Sequence, residues 1–216
     1  MTTPPRWLQA LRRPLGWIEI PNIAMIFVTL QGLGFLMVSY DPSWAYRLAL
    51  IPSAVRHGEI WRLVTFLSLP LSMSPIWVLF TLWFLYFILN SIEAVWGAFQ
   101  TTFYFLMSIL VTIALAFALE LPVTNVSDFE TTLFLAAAGL FPEMEIRLFF
   151  MIPVKMKWLG WLSLAFLAWR FLGESRAGRA YLLGIYSNYL VFFGPSLVSS
   201  VRQAARRREF QRKMRG

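Results

Sequence analysis

The chain has 216 residues, 58% of them hydrophobic and 14% charged, with a formal net charge of +8 and a mean hydropathy of +0.63. Soluble domains carry about 25% charged residues, so this composition points to an integral membrane protein, and the length suits one domain of several spans. There is no cysteine and one histidine, His57, which excludes thiol nucleophiles, a disulfide framework, a zinc cluster and a paired-histidine haem site.

In chain order, residues 1–19 carry Arg6, Arg12 and Arg13 and read as a cytoplasmic segment. The apolar run that follows is long for a signal-peptide core and no small-residue cleavage site trails it, so Asn22–Tyr40 reads as a retained first span. Asp41–Trp61 is half apolar and holds Trp44, Arg47, Arg56 and Trp61, a composition suited to a loop at headgroup depth. His57 lies in this loop and reads as an interfacial polar side chain. The second span, Leu63–Leu89, is broken at its start by Pro70, Ser72, Ser74 and Pro75, and the third is Thr102–Leu119. An acidic stretch, Glu120–Glu130, leads into a short fourth span, Phe129–Phe141. Arg147–Trp158 mixes aromatics with Lys155 and Lys157 and reads as lying at the interface. The fifth span is Leu159–Leu172, Gly173–Arg179 is a turn, and the sixth span is Tyr181–Val201.

The fold class expected from this pattern is all-α integral membrane with six transmembrane helices, since each crossing needs about 20 apolar residues. The spans form one membrane domain, 20–201, followed by a tail, 202–216, with seven basic residues against the single acid Glu209. Positive charge at both ends places both termini in the cytoplasm, which an even number of spans satisfies. Short loops and the lack of a targeting peptide suggest a bacterial inner membrane. The basic tail is expected to meet anionic lipid headgroups. With one aromatic, Phe210, and no folded module around it, the tail does not read as a nucleic-acid binder.

Three stretches share an order. Glu59-Ile60-Trp61-Arg62-Leu63-Val64-Thr65 precedes the second span, Glu93-Ala94-Val95-Trp96-Gly97 follows it, and Leu140-Phe141-Pro142 with Ile152-Pro153-Val154-Lys155 joins the fourth to the fifth. Together they resemble the rhomboid superfamily of intramembrane serine proteases, pseudoproteases and derlins over about 180 residues. The resemblance implies a six-helix core with a membrane-embedded first loop. Trp61 can anchor that loop, Arg62 can donate to loop carbonyls or lipid phosphate, and Glu93 can accept backbone N–H bonds at a helix start. Gly97 completes the family's E-x-x-x-G.

The same resemblance implies a serine in G-x-S-G at the fourth span and a histidine in the sixth, the hydroxyl being activated by the imidazole. Spacing places the serine at Ser127, but Asn125 and Asp128 stand where the glycines belong. Asn188 stands at the histidine position and cannot take up and return a proton. The second-span donors fall near Trp77 and Thr81, which do not supply them. Ala180, Gly184 and Asn188 recur every four residues and share one helix face, so a helix-packing contact is expected there, with Asn188 bonding to the fourth span near Ser127. Asp128 and Glu130 line a residual cleft or are solvated. The leading expectation is a proteolytically inactive rhomboid-like protein that binds transmembrane clients, without cofactor or metal. The alternatives are a divergent protease using Ser127, and a structural or transport subunit of a membrane complex.

Overall fold

The computed structural model describes residues 6–148 and 152–213. Its helices are α1 (Arg6–Leu15), α2 (Ile23–Tyr40), α3 (Ser43–Leu48), α4 (Pro52–Arg56), α5 (Arg62–Thr65), α6 (Pro75–Trp96), α7 (Ala98–Leu119) and α8 (Ser127–Leu140). A short antiparallel hairpin, β1 (Glu145–Leu148) and β2 (Ile152–Lys155), leads to α9 (Met156–Gly173) and α10 (Arg176–Lys213). The chain is thus mostly helical, and the stretch read as lying at the interface, Arg147–Trp158, holds the end of β1, all of β2 and the start of α9. Among the described residues three helices, α2, α6 and α7, are long and apolar enough to cross a bilayer. At 14 residues α8 reaches about 21 Å, short of a hydrocarbon core of about 30 Å.

The second long helix begins later than the periodicity predicts. Proline lacks the N–H and clashes inside a helix, but it fits the first helical position, so α6 starts at Pro75. Residues Leu63–Ser74 instead form α5, a 3-10 turn (Phe66–Ser68) and irregular chain, yet Phe66, Leu67 and Leu69 are buried. The 3-10 turn packs directly on α2: a Cβ at Gly34 would collide with the Ser68 carbonyl. Between α6 and α7 the chain reverses at Gly97, whose φ of 90° favours glycine.

Helix α8 stands at the centre and touches α6, α7, α9 and α10. Phe129 on α8 meets Phe27 on α2 and Phe105 on α7 edge-on, with ring centroids 5.6 and 5.2 Å apart. At the other end of the bundle Trp96 stacks on Phe193 at 4.6 Å. Helix α1 is docked through Leu8, which is fully buried. Helix α10 continues without a break across the 201/202 boundary drawn from sequence. The side chains of the basic tail lie outside the described residues.

The first loop and the α7–α8 connection occupy the same end of the bundle. Leu50 and Val123 exchange two backbone hydrogen bonds, and Arg56 pairs with Glu120. At the opposite end, the Thr102 hydroxyl accepts from the Ile20 N–H and donates to the Ile20 carbonyl. There too, the hydrogen bonds from Lys155 and then Lys157 hold the Glu143 carboxyl down at about 2.

Candidate functional site

Arg62 organises the first loop. It is 3% exposed and donates to the Tyr46 and Ala49 carbonyls at 2.5 and 2.8 Å and to Glu59 at 2.6 Å. Five fixed N–H donors suit a guanidinium to this task, because the last carbonyls of α3 and its cap, Tyr46 and Ala49, need partners outside the helix. Trp61, beside it, is half exposed. Glu93 accepts the Asn22 N–H at the start of α2, so it braces the first long helix against the end of the second. Its other carboxylate oxygen and the Trp96 indole N–H are buried without a partner among the described residues.

The polar side chains converge on the first turn of α8. Asn125 forms an Asx turn ahead of the helix, accepting from both the N–H and the hydroxyl of Ser127, the latter at 2.6 Å. Asp128 makes a bidentate pair with Arg170 of α9 at 2.7 and 3.0 Å and accepts from the Tyr186 hydroxyl of α10 at 3.4 Å. Glu130 accepts from the Gln31 side chain of α2 at 2.7 Å, and the same amide reaches the Leu67 carbonyl. Both acids are buried, which rules out the solvated alternative. A cavity of roughly 440 Å³ opens between α8 and α9 beside Ser127, Asp128 and Arg170. A second, of roughly 230 Å³, lies between α6 and α8 and is lined by Ser127 and Glu130.

Asn188 is buried, and its amide donates to the Ser108 hydroxyl of α7 at 2.7 Å, not to the fourth helix. The polar route to α8 is indirect: Ser108 bonds the Tyr104 carbonyl, and the Tyr104 hydroxyl donates to the Thr132 carbonyl. Tyr186, on the same helix as Asn188, instead occupies the approach to Asp128. Gly184 lets α7 approach, since a Cβ there would press on Leu115. With Ser108 opposite Asn188 and Leu115 opposite Gly184, α7 and α10 run antiparallel. Ala180 is then level with the end of α7 and is exposed, which corrects its place on the packing face.

Among the described residues no base meets the serine. The Ser127 hydroxyl is committed to an amide oxygen, which does not take up a proton at neutral pH. His57 is exposed on the first loop with its ring bonded to the Ser53 carbonyl. Thr81 donates to the Trp77 carbonyl of its own helix. Among the described residues no three His, Cys, Asp or Glu side chains gather as a metal site would require.

Among the residues of this network that went unread in the sequence are Gln31 and Arg170. Each is a lone polar side chain in an apolar run, and that isolation is the signal, because such residues in a membrane helix face a partner or a cavity. Comparison with protein-family profiles, with curated proteins and with solved structures finds no match to this chain.

Proposed function

We propose that this chain is a rhomboid-like membrane protein of six spans, proteolytically inactive, that holds the transmembrane helices of client proteins beside the first turn of α8. In this reading α8, α9 and α10 complete the crossings begun by α2, α6 and α7, and the first loop is embedded at the membrane surface. Exposed Tyr46, Ile60 and Trp61 on that loop suit such a position. The shared end of the first loop and the α7–α8 connection is the outer one, both termini are cytoplasmic, and the membrane is a bacterial inner membrane. The basic tail lies against anionic headgroups.

The observation that carries the reading is the polar ridge at Ser127 with a cleft on either side. Irregular chain and polar groups at membrane depth are tolerated where they line a cavity, and a short α8 thins the protein locally. The ridge offers hydrogen-bonding groups to a helix arriving from the bilayer, while its hydroxyl donates to the Asn125 amide oxygen and, among the described residues, to no base that would make it a nucleophile.

Two measurements test this. Purified protein in lipid nanodiscs is expected to leave a reporter transmembrane substrate intact, and cleavage abolished by Ser127→Ala overturns the inactive assignment. A photo-crosslinker at Thr131 is expected to form adducts with the helix of a transmembrane protein, while one at lipid-facing Leu110 does not. Equal adducts from both positions remove the client site.

A further inference from the structure

Glu130 has a different standing from Asp128, the other buried acid of α8, and from exposed Glu120 near it. Asp128 has Arg170, and Glu120 has Arg56. Glu130 is 6% exposed, and its one hydrogen-bond donor among the described residues is the neutral Gln31 amide, with no ion pair. The residue lines the cavity between α6 and α8. A buried carboxylate is costly without a compensating charge, and an intramembrane acid facing a cavity marks a place for one.

The cavity is lopsided in its chemistry. Its hydroxyls are acceptors toward any newcomer, because their protons are committed elsewhere: Ser127 to Asn125, Thr131 to the Ser127 carbonyl, Thr81 to the Trp77 carbonyl. The rest of the lining is apolar and includes Phe84 and Ile88 of α6 and Phe134 of α8. Carboxylate and lone pairs at one end with hydrocarbon along the side match a side chain that carries a cation on a methylene stem. They suit a hydrated free cation less well, since the apolar wall cannot replace its water.

We propose that Glu130 selects the client: the partner is a transmembrane helix with a Lys or Arg near its outer end, whose cation pairs with Glu130 in the α6–α8 cavity. This rests on the client-binding reading and names the chemistry of its partner. Glu130 is the fourth residue of α8, so the cation sits about one helical turn, roughly 5 Å, below the outer end of that helix. A basic residue at that depth defies the usual cytoplasmic bias of positive charge, so few helices carry it and the contact discriminates.

The test uses the full chain in nanodiscs and a set of synthetic single-span helices that differ at one position, one turn inside the outer end: Lys, Gln, Leu or Glu. Retention of the Lys helix is expected to exceed that of the Leu and Glu helices by about tenfold or more, with Gln between. The preference is expected to fall to less than about twofold in Glu130→Gln, which keeps the shape and can still bond Gln31, and to persist in Asp128→Asn. Because the helices are first compared on the unaltered protein, that result does not depend on any variant folding. Equal retention of the Lys and Leu helices overturns the pairing and leaves client binding standing. Retention of none overturns both. A Lys preference that survives Glu130→Gln, or Glu130-dependent sodium binding that abolishes retention of the Lys helix, overturns the assignment of Glu130 to the client.

Discussion

Helices α8 and α9 lie side by side on opposite terms. Ten of the 14 residues of α8 are buried, against Met156 and Gly160 alone of the 18 in α9. Helix α8 packs on α6, α7, α9 and α10, so it can carry Asp128, Glu130 and Thr132 inside the bundle, each with a partner. Helix α9 is a slat that rests on the core through Met156, Leu159, Leu167 and Phe171 and meets α8 closely at two further points. Gly160 comes close enough to α8 that a Cβ would lie 3.0 Å from that of Ala138, and Arg170 grips Asp128. Between these points its Leu162, Phe166 and Trp169 face outward. The lesson is that the cleft between α8 and α9 exists because one wall is thin: a polar centre is held by a crowded helix and roofed by a sparsely buried one.

The sharpest way to break this contrast is to truncate a phenylalanine on each helix. Phe129→Ala removes a ring wedged between Phe27 and Phe105 and is expected to cost about 3–5 kcal/mol, read by detergent-induced unfolding followed through tryptophan fluorescence. Phe166→Ala, on an exposed position, is expected to stay within about 0.5 kcal/mol. Similar costs for the two would dissolve the distinction between the helices.

Next comes the pin. Arg170→Ala leaves Asp128, whose side chain is 11% exposed, without its partner, and a loss of about 1–3 kcal/mol is expected, reduced from a fully buried pair because Arg170 is partly exposed. Replacing both residues by leucine is expected to recover most of it, since an isolated buried charge is what costs. Cysteine labelling at Leu167→Cys is the direct reading of whether α9 has lifted. Smaller still is Asn188→Ala: an interhelical hydrogen bond in a membrane is worth about 0.6–1.7 kcal/mol, and the same unfolding assay should find a loss in that range.

The smallest effect lies at the far end, where the connection from α8 to α9 carries Glu143 between Lys155 and Lys157. The carboxyl is held below its ordinary 4.5, at about 2, by these two ammonium groups. Its contribution is therefore complete above about pH 4.5 and is lost as the pH falls through about 2. A shallow decline in stability over that window, absent in Glu143→Gln, is the expected titration, and an identical decline in the variant would assign it elsewhere.

Much of the helical layout was legible because hydropathy is additive along the chain. The expected first span, Asn22–Tyr40, differs from α2 by a single residue, and Thr102–Leu119 ends where α7 ends. Pro70 and Pro75 marked a break, but a moving sum of hydropathy ran through it, because Phe66, Leu67 and Leu69 are apolar for a tertiary reason: they plug the core as irregular chain. The Trp61-Arg62 pair was visible, and so was the use of Arg62 as a donor to loop carbonyls, since a guanidinium at a loop end has few other uses. Asn188 stood out as polar in an apolar run, but its partner did not, because the choice between Ser108 and α8 depends on which helix faces it.

What the sequence determined alone was a membrane-compatible, mostly helical chain, the order of its helices, and the absence of thiol chemistry and of any histidine beyond His57. These follow from composition and from backbone rules that act within a few residues. The tertiary structure alone decided that Gln31 meets Glu130, that Arg170 meets Asp128, and that Asn188 bonds α7. Each pairing joins residues at least 42 positions apart, and in an apolar interior a polar group takes whichever partner the packing brings within reach.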